Sequence, residues 1–424
     1  MTDRLVSRSP RARWWSSATV DTPQARVQCV FWSFAVMLVV HRTVVLAVNG
    51  HRTDDFGGVY RAAVAFWNRE PVYTAAYHHV DPHYLYPPSG SLLIAPFAVF
   101  EAEPSRWVFI GVNTAAVLIA VYLVVRMFGY TVASAALPVA ITAAFVSESV
   151  TNTLVFTNVN GMILLGQVVF LTLLLARRNL AAGVAIGLTF AIKPILAPLL
   201  LLPVLRRQYT VFVTAAGTPI VLTVLAWPWA ADPWQFVERT VPYLLQSRDY
   251  FNSSITGNGT YYGLSEPLIL ALRIGFALLA AATMYLLYRS HRRDEVFFVV
   301  TSAGVLMTAS FLLGSLGQMY YSMLLFPLLM SVVLPQSVMR NWPAWLAVYG
   351  FLSADEWYSN RWIDAGRYAE YMRPTWGWSL LLIVIFAVLV DRRKQQPSPS
   401  GEHEIIPFSR SRVTTSRAAI EEKS

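Results

Sequence analysis

Two adjacent carboxylates, Asp54 and Asp55, follow the first hydrophobic segment of the chain. Acidic residues number only 24 among 424, so an acidic pair beside a predicted membrane segment is unusual. A carboxylate there can accept the proton of an attacking hydroxyl group, which is general-base catalysis of group transfer to an alcohol. The alternative is that the pair only caps a helix. We favour catalysis, with Asp55 as the first candidate base and Asp54 as the second.

Three basic residues are candidates for binding a phosphate. Lys193 lies within an apolar run, where an ionisable group is costly and is a functional hypothesis by default; the alternative is a lysine that reaches the membrane interface. Arg42 interrupts the first segment and could pair with a phosphate, with the Asp pair, or with a buried structural partner. Arg248 begins a polar run at 248–254, and guanidinium groups are the usual partners of phosphate.

Side chains that could bind sugars are concentrated in the regions predicted to lie outside the membrane. They are Tyr60, Arg61, His79, Asp81, His83, Tyr84, Tyr86, Asn252, Gln318 and Tyr320. A solvated loop is the alternative for Asn252, and an interfacial aromatic belt is the alternative for Gln318 and Tyr320. The His and Asp residues at 78–83 have metal-ligand types, but their spacing matches no standard zinc motif, so we interpret them as substrate contacts.

The chain has none of the common cofactor or nucleotide motifs. A phosphate-binding lysine loop, a dinucleotide-binding glycine pattern and a nucleophile elbow are all missing from the sequence. We therefore predict neither a cofactor nor a metal. A lipid monophosphate donor would need no diphosphate clamp.

The composition is that of an integral membrane protein. Hydrophobic residues make up 55% and charged residues 13% of the chain, with a mean hydropathy of +0.47, whereas soluble domains carry about 25% charged residues. The net charge of +9 comes from arginines at segment ends, which is typical of cytoplasmic anchors and does not indicate nucleic acid. The single cysteine, Cys29, excludes an intramolecular disulfide.

The hydropathy pattern predicts an all-α polytopic protein with about twelve transmembrane helices. Five arginines precede the first segment, Val30 to Val48, which puts the Asp pair on the outer face. Residues 88–100 either dip into the membrane and return, which makes the alternation of the segments self-consistent, or cross it fully, which would require another segment to be reassigned. Residues 178–206 are interpreted as a helical hairpin broken at Lys193 and Pro194. Further segments are predicted at 105–126, 131–149, 159–176, 209–228, 267–288, 296–315, 320–335, 342–354 and 376–390.

These segments predict one membrane domain between two disordered arms. The cytoplasmic N-terminal arm comprises residues 1–27, the membrane domain 28–391, and the cytoplasmic tail 392–424. The outer loops are predicted at about 50–88, 230–265 and 355–375.

The first outer loop contains the pattern of an amphipathic helix. Apolar residues recur there at helical spacing, namely Val59, Ala62, Ala63, Phe66 and Trp67. Such a helix would lie on the membrane surface. Asp55 precedes Val59 by four residues and so shares the inward face, whereas Asp54 is better placed as the N-cap.

Several longer motifs carry a family resemblance, which covers residues 28–390. They lie at 53–61, 80–88, 151–158, 193–194, 248–254, 318–323 and 340–345. The set resembles the polyprenol-phosphate-dependent membrane glycosyltransferases of family 87, which have the GT-C fold. In such enzymes the base is an acidic residue of the first outer loop, so the resemblance implies Asp55 or its neighbour Asp54.

The resemblance also implies the substrates. It implies a decaprenyl-phosphoryl-β-D-arabinofuranose donor and an α-(1→5)-arabinan acceptor at the periplasmic face of the inner membrane. Inverting transfer to a 3-hydroxyl would make α-(1→3) branch points in arabinogalactan and lipoarabinomannan. The alternatives are a polyprenol-phosphate-mannose-dependent mannosyltransferase of the same family and a lipid-linked sugar transporter. The chain shows no internal repeat of the kind that transporters carry.

Overall fold

The computed structural model describes residues 22–50, 55–77 and 83–395. Their regular secondary structure consists of helices joined by loops, and none of the described residues forms a β-strand. Pro71 and Ala231 form one isolated β-bridge. The predicted all-α class is therefore confirmed.

The helices are numbered in chain order. The first group is α1 Pro23–Asn49, α2 Phe56–Trp67, α3 Pro88–Val99, α4 Ala102–Met127, α5 Ala136–Val146, α6 Glu148–Val155, α7 Asn160–Leu175 and α8 Asn179–Ile192. The second group is α9 Pro194–Leu205, α10 Tyr209–Ala226, α11 Val241–Leu245, α12 Ile255–Tyr261, α13 Glu266–His291, α14 Glu295–Leu313, α15 Met319–Val333, α16 Trp342–Leu352 and α17 Ile363–Gln395.

The multi-pass architecture is confirmed, but the number twelve is not. Among the described residues, six helices are long and apolar enough to cross a membrane: α1, α4, α10, α13, α14 and α17. Six other apolar helices are shorter: α3, α5, α7, α8, α9 and α15. In the third predicted outer loop, 355–375, the second half is helical, because α17 begins at Ile363; the position of this region relative to the membrane stays a prediction.

The predicted break in the 178–206 hairpin is confirmed. Lys193 has extended backbone angles, φ −147° and ψ 110°, and separates α8 from α9. The cause is local, because Pro194 disfavours the helical conformation in the residue before it and has no N–H to donate. The break leaves the lysine at the end of a helix inside the protein.

Helix α2 matches its predicted pattern except at its two ends. Val59, Ala62, Ala63 and Phe66 are buried, but Trp67 is 60% exposed. As the last residue of the helix, Trp67 lies at the edge of the buried face, so its predicted inward position is wrong.

The cap prediction for α2 is also wrong. Asp55, not Asp54, is the residue before the first helical residue, and its side chain makes no capping hydrogen bond. Asp54 itself lies outside the described residues.

Helices α8 and α10 pack closely because small residues line their contact. A Cβ atom added to Gly183 would lie 2.6 Å from Cβ of Thr214, and one added to Gly187 would lie 2.6 Å from Cβ of Thr218. Such small residues let two backbones approach closely, as is common between membrane helices. This contact fixes α8, and with it the position of Lys193.

Candidate active site

Asp55 lies where the start of α2 meets the end of α6. Its backbone N–H donates to the carbonyl oxygen of Phe156, at 2.8 Å. Its charge acts on two phenol groups, those of Tyr86 and Tyr320. Burial and then the nearby Asp55 carboxylate raise the pKa of Tyr86, so this phenol stays protonated and able to donate a hydrogen bond. The arrangement is a carboxylate between two neutral tyrosines.

Lys193 approaches the same place from the break between α8 and α9. Its Nζ atom lies 4.3 Å from the centre of the Tyr321 ring, which is a cation–π contact. It also donates to Oδ1 of Asn160, at 3.4 Å. The rings of Tyr320 and Tyr321 are 5.1 Å apart. A carboxylate and an ammonium group are thus connected through two consecutive tyrosines.

Arg248 completes this group from the segment between α11 and α12. Its guanidinium carbon lies 5.8 Å and 5.5 Å from the ring centres of Tyr243 and Tyr250, and its charge also acts on Tyr320. Tyr320 in turn donates a hydrogen bond to Oε1 of Gln318. The structure therefore brings together six predicted residues. With Tyr321 they form a group that we call the tyrosine centre. The six are Asp55, Tyr86, Lys193, Arg248, Gln318 and Tyr320.

Four other predicted residues line a separate cavity along α2. This cavity, the α2 cavity, has a volume of about 590 Å³ and is lined by Tyr60, Arg61, His83 and Tyr84 among others. The hydroxyl of Tyr60 donates to the carbonyl oxygen of Phe100, at 2.9 Å. The hydroxyl groups of Tyr84 and Ser91 share a hydrogen bond of 2.9 Å. These phenols are therefore already engaged within the protein.

Two predicted residues have structural contacts instead. Nε of Arg42 donates to the carbonyl oxygen of Phe145, at 3.2 Å, so Arg42 packs against the end of α5. The amide of Asn252 makes four backbone hydrogen bonds and is buried; it donates to the carbonyls of Arg248 and Ser315 and accepts from the N–H groups of Ser254 and Gly317. Because an amide side chain has two donor hydrogens and two acceptor lone pairs, Asn252 has no capacity left for a sugar.

The remaining predictions fall on residues 79 and 81. His79 and Asp81, like Asp54, lie outside the described residues. Within the described ranges, no group of three or more His, Cys, Asp or Glu residues is placed to hold a metal ion.

An apolar groove is lined by residues close in sequence to Tyr86 and Lys193. It has a volume of about 670 Å³ and lies between α3, α8 and α10. Its walls are mostly apolar, formed by Pro87, Phe190, Pro219, Ile220, Val224, Trp227 and Pro228 together with Ser89 and Thr223. At its polar end, Ser89 donates to the carbonyl of Ala191, at 2.8 Å, two residues before Lys193. One wall of the groove therefore includes Pro87, the residue after Tyr86, and another includes Phe190, three residues before Lys193.

The sequence analysis missed a buried acid, Glu148. Its Oε1 accepts from Nδ2 of Asn152, and its Oε2 is buried without a hydrogen-bond partner. Burial raises the pKa of Glu148 to about 7, against the opposing charge of Arg373. The available signal was a carboxylate inside a segment predicted as apolar, which marks a functional hypothesis in its own right.

The chain is similar to known proteins over most of its length. The sequence profile of glycosyltransferase family 87 matches residues 84–315. A protein of Mycolicibacterium smegmatis named alpha-(1->3)-arabinofuranosyltransferase is 55% identical over 387 residues, which cover 90% of this chain and 89% of that protein. Proteins of the same name from Mycobacterium tuberculosis and Corynebacterium glutamicum are 52% and 38% identical, over 92% and 89% of this chain and 89% of each of those proteins.

Proposed function

Because the chain belongs to glycosyltransferase family 87, we propose that it is an α-(1→3)-arabinofuranosyltransferase. The donor is decaprenyl-phosphoryl-β-D-arabinofuranose, and the acceptor is the 3-hydroxyl of an α-(1→5)-arabinan. The product is an α-(1→3) branch point in cell-wall arabinogalactan and lipoarabinomannan. The name shared by relatives that are 38–55% identical supports this choice of sugar and linkage.

One observation carries the chemistry: the charge of Asp55 acts on Tyr320, and the ammonium of Lys193 contacts the ring of the next residue, Tyr321. Sugar transfer from a phosphate needs a base for the acceptor hydroxyl and a cation for the departing phosphate. The tyrosine centre supplies both, beside an apolar groove suited to a lipid chain.

In the proposed reaction Asp55 is the general base. The acceptor 3-oxygen attacks the anomeric carbon while its proton passes to the Asp55 carboxylate. The bond from the anomeric carbon to the phosphate oxygen breaks, and polyprenyl phosphate leaves with the bonding electron pair. Attack from the opposite face inverts the configuration from β to α.

The donor phosphate is proposed to bind to Lys193 and Arg248. A lysine holds a phosphate as a point charge, and an arginine can bind it with two hydrogen bonds. Nδ2 of Asn160 is buried without a partner beside Lys193, which supports an additional donor to the phosphate. The prenyl chain would lie in the groove between α8 and α10. Arg42 is no longer part of this proposal, because its side chain packs against α5.

The membrane arrangement is part of the proposal. The shorter apolar helices would supply further passes, up to about twelve, and α2 would lie on the outer surface. The reaction would occur at the periplasmic face of the inner membrane. The ion pairs of Glu295 with Arg177 and Arg206, at 2.9 and 3.1 Å, support a cytoplasmic position for that end of the bundle.

The test is a linkage assay with purified protein. Prenyl-phosphoarabinose and prenyl-phosphomannose are offered in turn with a linear α-(1→5)-arabinan, and the products are analysed for glycosidic linkage. We expect new 3,5-branched arabinose from the arabinose donor alone. Transfer of mannose would support the mannosyltransferase alternative, and lipid movement across vesicles without transfer would support a transporter.

A further inference from the structure

Helix α6 has two different faces. Ser149, Val150, Thr153 and Leu154 are fully buried. The opposite residues, Glu148, Thr151, Asn152 and Val155, are partly exposed as whole residues, although the Oε2 atom of Glu148 is itself buried. These four occupy positions i, i+3, i+4 and i+7, so they share one side of the helix. We call this side the polar face of α6.

The buried side attaches α6 to the tyrosine centre. Ser149 donates to the carbonyl oxygen of Met319 at 3.3 Å, and Thr153 donates to the sulfur of Met323 at 3.4 Å. Both partners belong to α15, which also carries Tyr320 and Tyr321. After the last turn of α6, the carbonyl oxygen of Phe156 accepts from the N–H of Asp55. The polar face is therefore held in a fixed position relative to the proposed base.

The polar face has hydrogen-bonding capacity that the protein does not use. Oε2 of Glu148 is buried without a partner, and so is Nε of Arg373 in α17. The charge of Arg373 acts on Glu148, so the two unpartnered atoms belong to one neighbourhood. Buried polar atoms without partners are costly and rare. Their presence in two neighbouring side chains leaves an acceptor and a donor that a polar ligand could use.

Charge indicates which ligand fits. Glu370, which is paired with Arg373 at 2.8 Å, adds a second carboxylate beside Glu148. Two carboxylates against one guanidinium disfavour a phosphate, and the buried charges disfavour a prenyl chain. Carboxylate, amide, hydroxyl and guanidinium groups together suit a neutral ligand with many hydroxyl groups.

We propose that the polar face of α6, with Arg373, is an acceptor subsite that binds arabinose units beyond the one that reacts. This inference rests on the proposed function. The eight residues from Glu148 to Val155 span ~10 Å of helix, so the subsite reaches well beyond one furanose ring. The motif at 151–158, to which the reaction itself gives no role, would then serve in recognising the acceptor chain.

The experiment measures acceptor kinetics for two variants, Glu148→Gln and Asn152→Ala. Linear arabinans of two, four and six residues are compared with the donor at saturation. For the longer chains we expect the acceptor KM to rise about 10-fold or more in Glu148→Gln, the usual loss for a hydrogen bond to a charged group, and about 2- to 10-fold in Asn152→Ala, the loss for a neutral one. The donor KM stays unchanged, and the advantage of a longer acceptor shrinks. Glu266→Gln, an exposed acid at the start of α13, is the matched control and keeps wild-type values.

Several outcomes separate this inference from the proposed function. Wild-type protein that transfers no arabinose to any acceptor would overturn the function and the subsite together. Wild-type transfer combined with an unchanged acceptor KM in both variants would overturn the subsite alone. A loss confined to kcat and equal for all acceptor lengths would assign α6 a structural role only. If a variant is folded but inactive, its affinity for the six-residue arabinan is measured without donor. Weaker binding than wild type supports the subsite, and wild-type affinity counts against it.

Discussion

The tyrosine centre and the α2 cavity contain similar residue types but are built differently. The α2 cavity is formed by one continuous part of the chain, from Gly58 to Tyr84. The tyrosine centre draws on the N-cap of α2, the segment before α3, the α8–α9 break, the segment between α11 and α12, and α15. Its charged residues, Asp55, Lys193 and Arg248, are partly buried, whereas Arg61 and Glu70 of the α2 cavity are exposed. Charges that are partly removed from water interact more strongly and are held more firmly, which favours catalysis. An exposed cavity suits weaker contacts along a chain.

The largest expected effect is that of Asp55→Asn in the tyrosine centre. Loss of the general base should lower kcat by about 100- to 10,000-fold, measured by transfer from the prenyl-phosphate donor to arabinan. Asp54→Asn is assayed in parallel, and Asp249→Asn, an exposed acid between α11 and α12, serves as the control. Full activity in Asp55→Asn with loss in Asp54→Asn would move the base to the neighbouring residue.

Glu148→Gln tests the burial of the Glu148 carboxyl group on α6, the helix that is hydrogen-bonded to α15 of the tyrosine centre. The pKa of Glu148 is raised from 4.5 to about 7 by burial, so the folded state binds more protons than the unfolded state between these values. Wild-type stability should therefore fall as pH rises from about 4.5 to 7, by roughly 3 kcal/mol at about 1.4 kcal/mol per unit. The groups facing Glu148 are Arg373 and Glu370 from α17 and Asn152 and Ser149 from α6.

The measurement is thermal unfolding in detergent between pH 4.5 and 8. Glu148→Gln should lose most of this pH dependence and gain stability relative to wild type at pH 8. Glu70→Gln, the matched change at the exposed α2 cavity, should leave the pH dependence as it is. An equal change in the pH dependence of unfolding in both variants would show that the carboxyl group of Glu148 is no more buried than that of Glu70.

Lys193→Ala tests the cationic side of the tyrosine centre. Loss of the ammonium should raise the donor KM by about 10- to 100-fold, as expected for a charged hydrogen bond to phosphate. The acceptor KM should change little. Arg126→Ala, an exposed basic residue at the far end of α4, controls for a change in net charge. An unchanged donor KM in Lys193→Ala would contradict the phosphate role.

The smallest effect is expected at the α2 cavity. Arg61→Ala should raise the acceptor KM by less than about fivefold, because an exposed side chain contributes at most about 1 kcal/mol. The assay is the same arabinan series used for α6. A loss as large as that of Asp55→Asn would show that the two regions form one catalytic site.

Local patterns in the sequence predicted local structure well. The stripe at Val59, Ala62, Ala63 and Phe66 predicted α2 and its buried face, and Pro194 predicted the break at Lys193. The same reasoning was wrong at Trp67 and at the cap. The predicted start of a helix is uncertain by one or two residues, and helix propensity does not remove this uncertainty. A shift of one residue is enough to exchange Asp54 and Asp55 as the residue that precedes α2.

Side-chain roles that depend on distant partners were predicted less well. Asn252 has the residue type of a sugar ligand, but Ser315 and Gly317 use part of its amide from 63 and 65 residues away. Glu148 was assigned to an apolar segment. Its charged neighbours, Arg373 and Glu370, lie more than 200 positions later, in α17, and so gave no local signal. Residue type alone does not show which partners a polar group will meet.

The sequence by itself determined the membrane class, the place of an acidic pair after the first segment, the α2 stripe and the break before Pro194. These follow from hydropathy, helical periodicity and the covalent geometry of proline, which act within a few residues. Only the tertiary structure decided that Asp55, Lys193, Arg248 and Tyr320 converge while Arg42 and Asn252 are used elsewhere. The reason is that the distance between side chains on different helices depends on how those helices pack, as at Gly183 against Thr214, and no local pattern encodes that packing.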